Sequence, residues 1–379
     1  MKKNTALPII LIAYSLCFFL SCSQNSTTGP EQRLSREFQK ALDNSLELHD
    51  ALGISAAVLM PDQDVWVGTS GISHEDVPLD VDMLFYIASV TKTFVAACIL
   101  QLVEEGELIL EDSLYHWFPA IPNIDSTITI RQLLNHTSGV FDYYYNPAYE
   151  DSLTANLNRR WMPEEILTLV AEPYFPPGTD YHYSNTNYIL LGMIIQDATG
   201  NEVSAEIRNR FLNPLGLSQT FFEVEETIPG ELVHGWADVD DDPEADDMTD
   251  YPLTAFFSLE WTAGAMVSTP DDIVRWASAL FTGDVLSAAT LSQMLTFYPY
   301  SMEGQAGNGY GLGVSRFKPE IVRGEQAYGH GGTVYGYRNV MIYLPDYGVS
   351  ISVMINEMNP NSLWGTLEAL IDVVLDYVD

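Results

Sequence analysis

Tyr337-Arg338-Asn339-Val340-Met341-Ile342-Tyr343-Leu344 and Val349-Ser350-Ile351-Ser352-Val353-Met354-Ile355, joined by Pro345-Asp346-Tyr347-Gly348, read as two strands and a turn. β-Branched and aromatic residues fill both runs, and the Pro-Asp-x-Gly link carries turn chemistry. Two more β-rich runs precede them, at 310–317 and 326–334. A second β-rich block stands near the other end of the chain, at 54–60 and 65–69, separated by Pro61-Asp62-Gln63-Asp64 as in a hairpin. Leu34, Phe38, Ala41 and Leu42 space as one helical face that ends near Gly53, and 363–378 reads as a terminal amphipathic helix. Between the two blocks, residues 89–295 are helical in pattern with Pro- and Gly-rich connections. The expectation is an α+β fold: one antiparallel sheet built from both chain ends and flanked by helices, with a mostly helical lobe inserted. The α/β lobe takes residues 34–88 and 296–378, the helical lobe 89–295, within one domain spanning 34–378. Their junction is a cleft, where an active site is expected.

The chain has 379 residues, 16 Lys+Arg against 52 Asp+Glu, and a formal charge of -36. That balance excludes a nucleic-acid partner, because phosphate binding needs Lys and Arg. An apolar fraction of 47% excludes wholesale disorder. Residues 1–21 read as a signal peptide: Lys2 and Lys3 form a basic start, and the apolar run 7–20 is too short to span a bilayer comfortably. The run ends at Ser21-Cys22, which resembles a bacterial lipoprotein lipobox with Cys22 as the lipidated residue. Residues 22–33 then form a tether. The mature protein is expected in the cell envelope, touching membrane only through that anchor. Cys98 lies in an apolar helical pattern, so neither a disulfide framework nor a Cys-based metal site is expected. Stretch 238–250 carries eight carboxylates, but Pro243 occupies the position where a calcium loop needs Gly, so it reads as a solvated surface loop. No His/Glu spacing resembles a zinc site, and no cofactor is expected.

Ser89-Val90-Thr91-Lys92 opens a long helix in which Phe94, Cys98 and Leu102 recur every fourth residue before Gly106. Spacing i, i+3 puts the Ser hydroxyl and the Lys amine on one face, one turn apart. A helix start favours developing negative charge, and an apolar setting lowers a lysine pKa toward that of a proton acceptor. A second Ser-x-x-Lys, Ser315 to Lys318, lies in a β pattern where residues three apart face opposite sides, and is set aside. Tyr183-Ser184-Asn185 follows Pro177-Gly178 and enters an apolar helix at 188–198. A phenol there can relay a proton, and an amide can hold both the lysine and a substrate carbonyl. His330-Gly331-Gly332 lies inside a predicted strand, where glycines mark close approach of a backbone or ligand. His136 reads as a group that satisfies loop backbone, and His182 as a spectator.

Ser89-x-x-Lys92, Tyr183-x-Asn185 and His330-x-Gly332, in this order, resemble the serine β-lactamase and penicillin-binding-protein superfamily. The branch is similar to class C β-lactamases, His-x-Gly D-alanyl-D-alanine carboxypeptidases and related esterases. Leu133-Leu134-Asn135-His136-Thr137-Ser138-Gly139, Pro214-Leu215-Gly216-Leu217, Ala263-Gly264 and Tyr310-Gly311-Leu312-Gly313 extend the match over about residues 34–378. The resemblance implies a β-lactamase/transpeptidase-like fold with Ser89 as the acylated nucleophile and Asn185 as an orienting group. Lys92 and Tyr183 become the proton-transfer pair, which of them is the base staying open. It also implies an oxyanion hole from the backbone N–H groups of Ser89 and Thr333. The implied function is an exported serine hydrolase working through an acyl-enzyme on an ester or amide bond of a small-molecule or peptidoglycan-derived substrate. D-Alanyl-D-alanine carboxypeptidase, β-lactamase and a non-catalytic module binding peptidoglycan or β-lactams are the alternatives. One departure bears on substrate: many members place Lys-Thr/Ser-Gly where this chain has His330-Gly331-Gly332. The hydroxyl is missing and the cation depends on pH, so neutral esters are expected to outrun a β-lactam unless Arg338 or another cation supplies the charge.

Overall fold

A computed structural model describes residues 29–238, 245–250, 252–300 and 307–378. The leader, Cys22 and the centre of the acidic stretch lie outside the described residues. The first helix, α1 (Pro30–His49), starts within the stretch read as tether; Pro30 supplies the fixed φ that suits a first turn. Two strands follow, β1 (Gly53–Leu59) and β2 (Trp66–His74), with a short β3 (Val77–Pro78). The later strands are β4 (Tyr298–Pro299), β5 (Gly307–Tyr310), β6 (Ser315–Phe317), β7 (Tyr328–Val334), β8 (Tyr337–Leu344) and β9 (Val349–Ile355). The run read as one strand over 310–317 is therefore two. Gly313, at φ 83°, makes the bend between them, a conformation open to Gly at no steric cost.

These strands form one nine-stranded antiparallel sheet in the order β3-β2-β1-β9-β8-β7-β6-β5-β4. The two chain ends meet at its centre, where Ile54 pairs with Ile355, Ala56 with Val353 and Val58 with Ile351. Side chains alternate across the sheet. Ile351, Val353 and Ile355 pack with Leu34, Phe38 and Leu42 of α1 and with Leu363, Leu367 and Leu370 of the terminal helix α5 (Pro360–Val378). The opposite face carries Ser55, Ala57, Ser350 and Ser352, and their small size lets a helix lie close. That helix is α4 (Pro270–Thr282), which packs on β1, β8 and β9 although it lies within the stretch assigned to the helical lobe. Thr269 caps it by accepting from Asp272 N, Pro270 opens its first turn, and Ile273, Trp276, Ala277 and Leu280 form its apolar stripe.

The inserted lobe is built around α2 (Thr91–Glu105) and α3 (Asn185–Thr199). Residues 91 to 100 are all buried, so α2 runs through the core instead of along its surface. Gly106, at φ 78°, ends it. Trp276 ties α4 to α2, stacking on Phe94 at 4.0 Å and donating to Thr93 Oγ1 at 2.8 Å. This mixed architecture, sheet from both ends and helical lobe inserted, matches the α+β expectation. It sets the turn before α2 against β7.

Candidate active site

The turn before α2 carries Ser89. Residues Ala88–Val90 form a single 3-10 turn, and Ala88 holds φ at 46°, a region an L-residue adopts only when its surroundings impose it. One turn on, the Lys92 side chain is wholly buried and its Nζ has three acceptors. These are Ser89 Oγ at 3.0 Å, Asn185 Oδ1 at 2.9 Å and Ala263 O at 2.6 Å. An ammonium has three N–H groups, so the charged form is fully satisfied. Burial nevertheless pulls its pKa down from 10.5 to about 8; Glu260 and then Asp142 oppose the fall.

Asn185 is oriented from both sides. Its Oδ1 accepts from Lys92, and its Nδ2 donates to Asp142 Oδ2 at 3.2 Å. Asp142 is buried, which lifts its carboxyl to about 6 against the pull of Tyr144 N–H, Asn185 and Lys92. Glu260 ends the helix Thr254–Glu260 just before Trp261, a bulky residue at φ 35°. Its carboxylate is nine-tenths buried and takes no hydrogen bond from the described residues. Burial pushes it up to about 7, with Lys92 pulling the other way. Neither acid was singled out from sequence. Glu260 had one signal: it is the lone charge in the apolar run Ala255-Phe256-Phe257-Ser258-Leu259-Glu260-Trp261.

Tyr183 lies over the same lysine, with Lys92 Nζ 5.0 Å from its ring centroid. Its hydroxyl is buried without a hydrogen-bond partner, and desolvation raises its pKa well above 10; the Ser89 hydroxyl pulls the other way. Its loop is clamped by His136, whose Nδ1 accepts from Ser184 N at 3.2 Å and meets Asn187 Nδ2 at 3.0 Å. That is the backbone-satisfying role expected of His136. His182 stacks on Tyr174 at 3.8 Å, with its Nδ1 2.9 Å from Tyr183 O. Ser315, of the second Ser-x-x-Lys, sits on β6 paired with Gly329.

His330 differs from its expected part. The side chain is buried, its Nε2 lies 2.8 Å from Tyr310 Oη and its Nδ1 2.6 Å from Gly331 O. Desolvation, then the Lys92 charge, lowers its pKa to about 3. The shift favours the neutral ring, and its two nitrogens face Tyr310 and Gly331, so the ring is not placed as the pH-dependent cation expected for substrate. Gly332 fits against the Ser89 turn: a Cβ there would lie 2.3 Å from Ile87 O. Gly331 and Thr333 face the other side of the strand, and Thr333 is exposed. Ser89, Lys92, Tyr183, Asn185 and the 330–333 strand thus converge at one place. Among the described residues no group of three His, Cys, Asp or Glu could hold a metal ion. Cys98 is buried inside α2.

A family model described as Beta-lactamase matches residues 38–376. The chain is 30% identical to a penicillin-binding protein of Bacillus subtilis (strain 168), over 75% of this chain and 63% of that protein's length. It is 27% identical to a penicillin-binding protein of Amycolatopsis lactamdurans, covering 84% of each. The fold superposes with a TM-score of 0.80 on D-amino acid amidase from Ochrobactrum anthropi SV3, at 28% identity over 92% of this chain and 100% of that one.

Proposed function

This chain belongs to the beta-lactamase family, and from that premise we propose that it is a serine hydrolase cleaving an amide bond through an acyl-enzyme on Ser89. The observation that carries the reading is the set of acceptors around Lys92. A neutral amine has two N–H groups and one lone pair. Ala263 O and Asn185 Oδ1 cannot donate from those atoms, so they take both N–H groups and leave the lone pair facing Ser89 Oγ. Tyr183 is held as a phenol by burial, so Lys92 is the acceptor and Tyr183 the donor of the pair.

Ser89 Oγ forms a bond to the scissile carbonyl carbon while its proton passes to Lys92 Nζ. The carbonyl oxygen becomes an oxyanion, received by the backbone N–H groups of Ser89 and Thr333. The C–N bond then breaks and the leaving amine takes a proton through Tyr183, which regains one from Lys92. Water repeats the sequence on the acyl-enzyme, with Lys92 again taking the proton. Relatives named as penicillin-binding proteins and an amidase named for D-amino acids favour small amide or peptide substrates. An ester, with a better leaving group, serves the same machinery.

The test is to incubate wild type and Ser89→Ala with p-nitrophenyl acetate, a D-amino acid p-nitroanilide and nitrocefin. Turnover by wild type, none by Ser89→Ala at unchanged melting temperature, and an acyl mass on the Ser89 peptide are expected. Wild-type rates in Ser89→Ala would overturn the assignment. For location, we read Ser21-Cys22 as the site of export and lipidation. Cys22→Ser should lose detergent-phase partitioning; equal partitioning of both forms would refute the anchor.

A further inference from the structure

Two residues near the site hold backbone angles that their side chains disfavour, and a hydrogen bond links them. Trp261 stands at φ 35° and Val224 at φ 62°; both are bulky residues at positive φ, and Val224 is β-branched. Such strain persists only where surrounding bonds impose it, and here those bonds are short. Glu225, next after Val224, accepts from the Trp261 indole Nε1 at 2.6 Å through one carboxylate oxygen. Its other oxygen accepts from Ser204 N at 3.1 Å, in the first turn of the helix Val203–Ile207, where a backbone N–H lacks a helical partner. On the other side of Val224, Glu223 N donates to Ala265 O at 2.7 Å. Residues 223–225 therefore grip both ends of the turn 261–265.

That turn presents two groups to Lys92. Ala263 O accepts from its Nζ at 2.6 Å, and Glu260 immediately precedes Trp261. The turn closes on Trp261 O, which accepts from Gly264 N at 3.2 Å and from Ala265 N at 2.8 Å. Thr262 Oγ1 ties its middle to Tyr188 O at 2.8 Å. The indole is packed so closely on Gly192 that a Cβ there would lie 2.8 Å from it. The dihedral angles of Trp261 thus set Glu260 and Ala263 O relative to each other, and Glu225 holds the side chain of that residue.

We infer that Glu225 is a positioning residue for Lys92: through the Trp261 indole it holds the 261–265 turn in its strained form and keeps Ala263 O and Glu260 against the amine. The bond is charge-assisted and ends on a buried indole. Lys92 is faced by Glu260 and Asp142, which favour the ammonium, by the rings of Tyr183 and Tyr188, and by His136 and His330, which feel its charge. Of these, Glu260 is the one joined in sequence to the clasp. The inference rests on Lys92 as acceptor of the Ser89 proton.

The experiment is the pH profile of kcat/KM on p-nitrophenyl acetate, with melting temperatures, for wild type, Glu225→Gln, Glu225→Ala, Trp261→Phe and the double variant of the last two. Ala263 O and Glu260 both favour the ammonium, so releasing them makes Lys92 easier to deprotonate and moves the rising limb to lower pH. A charge-assisted hydrogen bond wholly lost is worth about one to two pKa units, so a loosened one should move the limb by about one. The plateau should fall about 10- to 100-fold, because the lone pair is no longer aimed at Ser89 Oγ. Glu225→Gln keeps one acceptor for two donors and should lie between wild type and Glu225→Ala. The double variant should shift no further than either single one, since both break the same bond. Arg208→Gln, which loosens the same segment through Glu226, should lower the melting temperature without moving the limb. A limb unmoved in both Glu225→Ala and Trp261→Phe, additive shifts in the double variant, or an equal shift in Arg208→Gln overturns the clasp. A wild type with no rising limb would instead strike Lys92 as the acceptor.

Discussion

Gly332→Ala is the sharpest perturbation of the site, because a single methyl would separate the strand from the nucleophile's turn. The added Cβ would lie 2.3 Å from Ile87 O and 2.6 Å from Asn339 Oδ1. Carbon and oxygen rest no closer than about 3.3 Å, so roughly 1 Å must open. Asn339 can turn its amide, at the expense of its 3.1 Å bond to Tyr86 O. Ile87 O is backbone, two residues before Ser89, and it can move only by carrying the turn with it. Such overpacking costs about 1–3 kcal/mol in stability. The larger effect is catalytic: a 1 Å misplacement of the oxyanion donors relative to Ser89 is worth about 100-fold in rate. The assay is kcat/KM on a neutral p-nitrophenyl ester, with melting temperature in the same buffer. Gly331→Ala is the control, since its Cβ would find 3.7 Å of room, and should stay within about threefold. A Gly332→Ala enzyme with wild-type kcat/KM would show that β7 does not abut the Ser89 turn as described.

The remaining expectations concern protons and salt. Acylation needs neutral Lys92, so kcat/KM should rise with pH through about 8. Glu260→Gln removes a carboxylate that favours the ammonium, and the limb should move to lower pH; an unmoved or upward limb would refute the coupling. His330 is held neutral, its pKa lowered from 6.5 to about 3, so an unfolded chain takes that proton first. Its contribution is complete above about 6.5 and is lost as pH falls toward 3. His330→Gln should therefore flatten the acid-side decline in melting temperature, and an equal slope would count against it. With a formal charge of -36, the chain repels itself, and melting temperature should climb from low to molar KCl as the screening length shortens from about 10 Å to about 3 Å. A flat or falling trend argues against self-repulsion.

The centre of the sheet was readable because β1, β8 and β9 are buried on both faces. Val349 to Ile355 is an apolar run with only serines interrupting, and no helix would bury it so evenly. Ser89, Lys92, Tyr183 and Asn185 were readable through spacing and order. What escaped was direction and depth. Asp142 and Glu260 look like any acids in a chain of 52, and only burial beside Lys92 gives them a part. His330 was expected to face substrate; the alternation of β7 turns it onto Tyr310 instead, a parity fixed by register and not by residue type. Helix α4 shows the same limit: its stripe declares an apolar face, but nothing local says that Ser55, Ser350 and Ser352 leave room for it against the sheet.

The central pairing of β1 with β9 has a consequence for how the molecule assembles. Ile54 meets Ile355, so β1, which can pair early with β2 along one edge, has no partner along the other until nearly the whole chain exists. The intervening helices can collapse meanwhile, but β1 waits with an unpaired edge, and such non-local closure is slow and open to mispairing. Losing the last turns of α5 would leave β9 present but unsupported by Leu367, Leu370 and Ile371 on its outer face. A nascent or truncated chain is then a helical lobe trailing two loose strand blocks, and Ser89 has no wall to work against until the final strand docks.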